Sequence, residues 1–320
     1  MIHKLINRLN KSFKCLKGYK PLQIKIVNFC YELTKSTKIK KLSNKVIKQT
    51  IYNSVDKNYI ISQAKEDWKE QKKDSEFPKK IWTMWWQGEE QAPDLVKATL
   101  QSIKMFANQN SCELIILDEH NIKDYLIIPE GIITKMEDGK LGIANFSDLI
   151  RCMLIDEYGG IWLDSTIFIT EKFPISILER EFSSINHPDN LTTSLDNNIT
   201  NKRWVSFVLS GKKGNIVTKY LKYFMLHQIE STKELPDYFM IDFGLDYLYD
   251  EFEEIKSIID EIPRYSSQKD IFWLSINKNQ LFDNEKWSNE LEKNQLFKCS
   301  YKYDKLIEKS YFDYLIKQKL

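Results

Sequence analysis

The sequence predicts an α/β protein in which helices flank a mostly parallel sheet, with a basic helical extension before it. From residue 77 onward, short apolar runs typical of strands alternate with segments of helical spacing, which is the pattern of a parallel sheet covered by helices. The first 60 residues contain fourteen Lys or Arg residues and two acidic residues. Since the whole chain has a net charge of +2, a basic N-terminal segment precedes an acidic remainder.

Composition and length are those of a globular protein. With 320 residues, of which 42% are hydrophobic and 29% charged, the chain can bury a sizeable core and is too apolar for a disordered protein. It has no apolar run of the roughly 18 residues that span a bilayer and no secretory leader, so we expect a cytosolic protein. Its five cysteines and four histidines are scattered without the spacing of a metal site, and we expect reduced thiols.

Residues 1–70 form the predicted basic extension. Apolar residues recur at spacings of three and four between its first lysines and arginines, as in an amphipathic helix: Ile2, Leu5, Ile6, Leu9, Phe13 and Leu16. Residues 1–60 could therefore lie on an anionic membrane surface, at the inner face of the plasma membrane. Alternatively, the basic face could pack against the acidic remainder of the chain. Few aromatic residues and no recognised module occur here, so we do not expect a nucleic acid partner.

After Pro78 the sequence predicts a βαβ unit. The segment KKIWTMWWQG, residues 79–88, indicates a buried strand that runs into a turn at Gly88, because it is aromatic-rich and closed by glycine. Residues 92–109, APDLVKATLQSIKMFANQ, have helical spacing, and residues 112–118, CELIILD, form a short apolar run. Strand, helix and strand within about forty residues predict parallel neighbouring strands.

A second helix and strand are predicted in residues 144–166, ANFSDLIRCMLIDEYGGIWLDST. Asn145 or Ser147 can cap the helix. Asp148 and Arg151 are three residues apart and share one helix face near its N-terminus, where free N–H groups favour an anionic ligand. The sequence contains neither of the two glycine-rich phosphate loops that are easiest to identify, so any nucleotide must be held in another way.

The strand of this segment ends in an aspartate. Gly159 and Gly160 can end the helix and let the backbone approach a ligand. In the strand that follows, alternation places Trp162 and Asp164 on one face. Asp164 emerges at the carboxyl end of a parallel strand, where ligand crevices form, and can hold a divalent metal or accept a hydrogen bond from a ribose. The alternative is that Asp164 caps a turn and that the helical Asp and Arg form an ordinary ion pair.

The chain resembles the capsular polysaccharide synthesis proteins, relatives of glycosyltransferase family 32. Their signature A..SD..R.......GG...D is matched by Ala144, Ser147, Asp148, Arg151, Gly159, Gly160 and Asp164. Residues 78–88, PKKIWTMWWQG, are similar to the family's first strand, and residues 238–243, YFMIDF, and 296–302, LFKCSYK, are similar to later markers. The resemblance covers roughly residues 77–302, leaves the first 70 residues outside it, and leaves residues 303–320 as a helical tail.

The resemblance implies a GT-A fold and a glycosyltransferase that moves a sugar from a nucleotide sugar to a growing cell-surface or capsular polysaccharide, which can be lipid-linked. It further implies a UDP-sugar donor, retention of anomeric configuration, and Mn²⁺ or Mg²⁺ held by Asp164. The family 32 motif is Asp-x-Asp, whereas this chain has Asp164, Ser165 and Thr166, so a hydroxyl replaces the second carboxylate. A non-catalytic nucleotide- or sugar-binding protein on the same fold is the alternative.

Carried over to this sequence, the resemblance makes Arg151 and Asp164 catalytic candidates, and we add the hypothesis that Asp242 lines the acceptor side. The donor-binding candidates are Trp82, Trp85, Gln87, Asp148, Arg151, Gly159, Gly160, Trp162, Asp164, Thr166, Lys298 and Lys302. Arg151, a metal, or one of the two lysines would neutralise the departing diphosphate. Core packing remains the alternative for each tryptophan, and a solvent-facing helix position remains the alternative for Asp242.

Overall fold

Strands in the part of the chain that the structure describes form two sheets. The computed structural model describes residues 9–13, 15–70, 78–186, 199–264, 271–303 and 305–317. In chain order the strands are β1 (Lys80–Met84), β2 (Glu113–Leu117), β3 (Gly160–Leu163), β4 (Ile167–Ile169), β5 (Phe182–Ser184), β6 (Val208–Gly211) and β7 (Leu296–Lys298). The larger sheet has the order β2-β1-β3-β6-β5, with β6 antiparallel to its neighbours and the other four strands in one direction. Strands β4 and β7 form an antiparallel pair.

Helices surround the sheet and precede it. In chain order they are α1 (Leu22–Thr34), α2 (Thr37–Ser54), α3 (Lys57–Glu70), α4 (Asp94–Gln109), α5 (Glu130–Glu137), α6 (Ile143–Tyr158), α7 (Ile216–Ser231), α8 (Met240–Glu251), α9 (Glu253–Asp260), α10 (Trp273–Ile276), α11 (Asn284–Lys293) and α12 (Tyr311–Ile316). Residues 9–13 are also helical, and short 3₁₀ helices lie at Glu89–Gln91, Ile122–Asp124 and Ile175–Glu179. Each described helix is too short or too polar to cross a bilayer.

The predicted βαβ unit is confirmed in β1, α4 and β2. Strand β1 is buried from Ile81 to Met84 and pairs in parallel with β2, with Trp82 opposite Ile115. Helix α4 packs on β2 and more extensively on β4, and it buries the apolar face that its spacing predicted, including Leu100 and Phe106. Burial of this face removes apolar surface from water, which is the main stabilising term for such a layer.

Helix α6 and strand β3 are also confirmed, but the predicted cap of α6 is wrong. The helix begins at Ile143, after the extended residue Gly142, and has no side-chain cap. Asn145 and Ser147 therefore lie within its first two turns, where the Asn145 amide donates to Tyr238 O at 2.8 Å and Ser147 Oγ donates to Ala144 O at 2.7 Å. Because the helix starts earlier than the sequence pattern indicates, these side chains do not cap it. Asn145 makes a tertiary contact and Ser147 a local one.

The glycine pair ends α6 as predicted and lets the backbone pack closely. Gly159 follows the helix with a φ of 69°, and Gly160 begins β3 with a φ of 100°. A Cβ at Gly160 would lie 2.5 Å from Lys80 O, and one at Gly159 would lie 2.8 Å from Lys213 N. Both the left-handed backbone and the close neighbours therefore require glycine here.

Both ends of the described chain pack on the α/β core. In α3, Trp68 Nε1 donates to Gly214 O at 3.0 Å, and α3 packs along α7. At the other end, α12 buries apolar side chains in a second cluster with α4, α11 and β7: Tyr311, Phe312 and Leu315 with Leu95, Trp287 and Phe297. The extension instead joins the main core through Ile24, Ile47 and Ile51.

Candidate active site

Arg151 links helix α6 to the carboxyl end of β3. Its Nη2 lies 3.1 Å from Asp148 Oδ1 and 3.2 Å from Asp164 Oδ1, so the predicted helical pair exists and includes the strand-end aspartate. Arg151 Nη1 donates to Ser206 O at 2.5 Å, and its guanidinium lies 4.9 Å from the centre of the Trp162 ring. These contacts hold the fork of the guanidinium in one orientation.

Asp164 is the meeting point of the site. Its Oδ1 accepts a hydrogen bond from Trp162 Nε1 at 2.8 Å, which confirms that the two side chains share one face of β3. Its Oδ2 lies 2.5 Å from Lys298 Nζ, and its backbone N donates to Phe207 O at 3.1 Å. Burial raises the pKa of Asp164, but Lys298 and Arg151 more than offset this and hold the pKa below its usual value. The carboxylate is therefore ionised at neutral pH.

Lys298 reaches Asp164 from the small sheet. Strand β7 pairs with β4 so that Lys298 stands opposite Ile167, the residue directly after the Asp164-Ser165-Thr166 motif. Its Nζ also donates to Thr166 Oγ1 at 2.7 Å, so one ammonium contacts both ends of the Asp164-Ser165-Thr166 motif. Of the two lysines predicted near the diphosphate, this one is in the cluster. Lys302 is exposed, and its Nζ lies 5.7 Å from the centre of the Tyr301 ring.

Two further carboxyl groups lie beneath this surface. Burial raises the pKa of Asp148 to about 6, with Asp164 adding to the rise and Arg151 opposing it. Asp242, of which 2% is exposed, accepts hydrogen bonds from Trp204 Nε1 at 3.2 Å and Ser206 Oγ at 3.4 Å. Burial, followed by the charge of Asp148, raises the pKa of Asp242 to about 7. We call Asp148, Arg151, Asp164, Asp242 and Lys298 the site cluster.

Aromatic side chains surround the open side of the cluster. Trp85 follows β1 and packs edge to face on Tyr301, with ring centres 5.3 Å apart. Tyr238 is exposed, and its carbonyl oxygen accepts from the Asn145 amide of α6 at 2.8 Å. Gln87 is also exposed. Because β1 and β3 are parallel, Trp85 and Gln87 lie at the same edge of the sheet as Asp164.

The geometry of α6, β3 and β7 joins the segments that carry the family resemblance. A model of the family described as capsular polysaccharide synthesis protein matches residues 28–315. The chain belongs to this family. The match begins in α1 and ends in α12, so it includes α2 and α3, which the sequence motifs left outside the resemblance. A search of curated proteins gives no match to the chain. Membership assigns this capsular polysaccharide synthesis protein a role in polysaccharide biosynthesis.

Besides Lys302, three predicted donor-binding residues of this family member are not brought to the site cluster. Trp82 has no exposed surface, and its Nε1 donates to Gly159 O at 2.9 Å, so it is a core residue in this structure. Gly159 and Gly160 lie at the amino end of β3, at the opposite edge of the sheet from Asp164. Trp162 is 1% exposed and touches the site through its hydrogen bond to Asp164.

Several residues of the site carry no signal in the sequence. Ser206 and Phe207 supply the carbonyl oxygens that fix Arg151 and Asp164, and Trp204 is fully buried against Asp242. They precede β6, which is next to β3 only because the sheet order is not the chain order. The one available hint is the aromatic and polar segment NKRWVSF at residues 201–207.

The donor set does not fit the Mn²⁺ or Mg²⁺ that the resemblance implies. In the described ranges, no group of three or more His, Cys, Asp or Glu side chains is arranged to hold a metal ion. Both oxygens of Asp164 already contact cations, Arg151 at 3.2 Å and Lys298 at 2.5 Å. The other motif residue, Thr166, offers a neutral hydroxyl, whereas these metals favour anionic oxygen ligands.

Proposed function

We propose that this capsular polysaccharide synthesis protein is a glycosyltransferase that moves a sugar from a nucleotide sugar to a growing capsular or cell-surface polysaccharide. The observation that carries the proposal is the site cluster, in which Arg151 and Lys298 flank Asp164 at the carboxyl end of β3. Ligand crevices form at such edges of open α/β sheets. The sheet, in which β6 alone runs against the others, supports a GT-A type fold, and a UDP-sugar is the first donor to test.

The proposed reaction is attack of an acceptor hydroxyl on the anomeric carbon of the donor. The new bond joins the acceptor oxygen to this carbon, while the bond to the diphosphate breaks and the diphosphate leaves with the electron pair. Lys298, of whose side chain 18% is exposed, would stabilise the charge on the leaving group, with Arg151 behind it. The departing phosphate would accept the proton of the acceptor hydroxyl.

Retention of configuration is consistent with the pairing of the carboxylates. Asp148 and Asp164 are both held by Arg151 at 3.1 and 3.2 Å, so neither is free to attack the sugar as a nucleophile. Attack from the face of the leaving group would give retention without one. Asp242 lies below the surface, so we propose that it acts by positioning Trp204 and Ser206 and does not touch the acceptor itself.

The donor site can be tested by thermal stabilisation with a panel of nucleotide sugars, because a ligand that binds only the folded state raises the melting temperature. We expect one donor to stabilise the wild type and to lose this effect in Asp164→Asn. Asp124→Asn is the matched control, since Asp124 is exposed and lies on a 3₁₀ helix outside the site.

Turnover then separates a transferase from a binding protein. We expect the stabilising donor to be consumed when a glycan acceptor is supplied, with Asp164→Asn inactive. Stabilisation without turnover on any acceptor would favour the non-catalytic binding protein. No stabilisation by any donor, in folded protein, would overturn the nucleotide-sugar assignment.

We also propose that the N-terminal extension binds the surface of an anionic membrane. Large apolar side chains are exposed along it: Leu9, Phe13, Leu16, Tyr19, Leu22, Ile26 and Leu42. Exposed lysines accompany them and have no acidic partner among the described residues: Lys17, Lys38, Lys41 and Lys45. Apolar groups beside lysines favour the interface of an anionic bilayer. Of the apolar residues in the predicted amphipathic helix, Ile2, Leu5 and Ile6 lie outside the described residues.

Other lysines of the extension pack against the acidic part of the chain. Lys48 Nζ lies 2.8 Å from Asp246, and Lys57 Nζ lies 2.9 Å from Glu251. The extension also contacts the chain near the site, since Tyr19 N donates to Glu234 Oε2 at 2.7 Å, four residues before Tyr238. Membrane binding through the extension would bring the candidate active site close to a lipid-linked acceptor.

Vesicle flotation tests the membrane proposal. We expect the full chain to float with phosphatidylglycerol vesicles but not with phosphatidylcholine vesicles, and to dissociate at high salt. The double variant Leu22→Ser, Ile26→Ser should lose flotation, whereas Ile127→Ser, which changes an exposed side chain in the α/β part, should keep it. Equal flotation of all three proteins would overturn the proposal.

A further inference from the structure

The ammonium of Lys298 bridges the first and third residues of the motif that, by the family resemblance, would hold a divalent cation. Here these positions are Asp164 and Thr166, and Lys298 Nζ contacts Asp164 Oδ2 at 2.5 Å and Thr166 Oγ1 at 2.7 Å. The neutral hydroxyl at the third position suits an ammonium donor, because it can accept a hydrogen bond and need not supply charge.

The fold holds Lys298 in this place. Its backbone N donates to Ile271 O at 2.8 Å, and β7 pairs it with Ile167 of β4. Its Nζ also lies 4.9 Å from the centre of the Phe207 ring, a favourable contact for a cation. Among the described residues, Asp164 and Thr166 use two of the three N–H donors of the ammonium, so one remains for an oxygen of a ligand.

We infer that Lys298 takes the place of the divalent metal, so that this protein binds and releases the nucleoside diphosphate of its donor without Mn²⁺ or Mg²⁺. The inference rests on the proposed function. An ion at Asp164 Oδ2 would stand beside the Lys298 ammonium, and the repulsion between two cations at such a short distance opposes metal binding. The single charge of Lys298 acts together with that of Arg151, which contacts the other oxygen of Asp164.

Calorimetric binding of UDP and GDP tests this inference on the full chain. We expect one of them to bind the wild type with the same Kd in EDTA as in Mn²⁺ or Mg²⁺. Lys298→Met should weaken binding at least tenfold in EDTA, and Lys298→Arg, which keeps a cation, should stay within a few-fold of wild type. Lys286→Met is the matched control, because Lys286 is exposed on α11 outside the site.

The Lys298→Met variant also gives a readout that a merely structural role would not give. Removal of the ammonium frees Asp164 Oδ2 and Thr166 Oγ1, so Mn²⁺ should partly restore UDP or GDP binding in this variant while leaving the wild type unchanged. The melting temperature of each variant shows whether it is folded. Should Lys298→Met fail to fold, the comparison of EDTA with Mn²⁺ on the wild type still decides the question.

The possible failures are distinguishable. If the wild type binds UDP or GDP only with metal, the role of Lys298 is overturned and the glycosyltransferase proposal stands. Unchanged binding in folded Lys298→Met would also overturn that role. If neither nucleotide binds under any condition and no nucleotide sugar stabilises the protein, both proposals fail together.

Discussion

Helix α6 carries an ion cluster at each end, and the two clusters differ in what they leave open to solvent. Near its beginning, the site cluster keeps 25% of the Asp164 side chain and 18% of the Lys298 side chain exposed. Near its end, the side chains of Asp156 and Lys219 are fully buried and 3.1 Å apart. A fully buried pair holds helices together, whereas a partly open pair keeps donors for a ligand.

The buried cluster ties the N-terminal extension to the α/β core. Asp67 of α3 accepts from Lys219 at 2.9 Å and from Lys222 at 2.5 Å, and Tyr223 donates to it at 3.0 Å. Burial raises the pKa of Asp67, but the two lysines more than offset this and lower it to about 2. Because two lysines here balance Asp67 and Asp156, the cluster has no charge left for a ligand.

The largest expected effect is on stability, at the buried cluster. Asp156→Asn would leave Lys219 buried with one carboxylate partner in place of two, and we expect the free energy of unfolding to fall by about 3–5 kcal/mol. The same change at Asp164, which is partly exposed, should cost only about 1 kcal/mol but abolish donor binding. Urea denaturation measures both. Equal losses at the two sites would contradict the distinction between a structural and a ligand-binding cluster.

A pH-dependent effect is expected at Asp242. Its pKa of about 7 in the folded protein is above the ordinary 3.8, so the folded state keeps a proton that the unfolded chain releases. The contribution of Asp242 therefore lowers the stability of the wild type as the pH rises from about 4 to about 7, by up to about 4 kcal/mol. Asp242→Asn removes this loss, so the variant should equal the wild type near pH 4 and exceed it at pH 8.

Denaturation curves at several pH values check this prediction. The exposed Asp124→Asn variant should follow the wild type throughout. A wild type and Asp242→Asn that change in parallel between pH 4 and pH 8 would show that Asp242 is not the group responsible.

The elements that the sequence predicted are those set by local pattern. The apolar runs of β1 and β2, the helical spacing of α4, and the Gly159-Gly160 stop of α6 each depend on neighbouring residues. Alternation along β3 likewise placed Trp162 and Asp164 on one face. Such features depend only on backbone geometry and burial, so one continuous segment of the sequence is enough to predict them.

The features that the sequence did not predict depend on contacts between distant segments. Ser206 contacts Arg151 because β6 lies next to β3, and no sequence motif predicts that order of strands. Lys298 was predicted near the diphosphate together with Lys302, but only the register of β4 and β7 selects Lys298 and places it on both Asp164 and Thr166. Three-residue strands such as these carry too little alternation to fix a register.

A functional effect is expected at Arg151, without a large loss of stability. Arg151→Lys keeps the charge but cannot contact Asp148, Asp164 and Ser206 O together, as the guanidinium does. We expect transfer from the donor to fall about 100-fold. Lys222→Arg, a change of cation in the buried cluster, should leave transfer unchanged. Comparable loss of transfer in both variants would show that the two clusters are not functionally distinct.

The smallest expected effect concerns a third set of charges, in which Lys48 and Asp250 are more exposed than the members of the other two sets. Tyr52 of α2 donates to Asp246 and Asp250 of α8, both at 3.1 Å. Asp246 in turn accepts from Arg203 at 2.6 Å, the residue before Trp204. The N-terminal extension is thereby connected to the segment that supports the site cluster.

Tyr52→Phe removes the hydroxyl of this link and keeps the ring. Since Lys48 still pairs with both aspartates at 2.8 and 2.7 Å, we expect the free energy of unfolding to fall by only about 1 kcal/mol and the nucleotide Kd to stay unchanged. A higher nucleotide Kd with normal stability would mean that the position of α2 affects the site through Asp246 and Arg203. This link would then belong with the site cluster and not with the structural one.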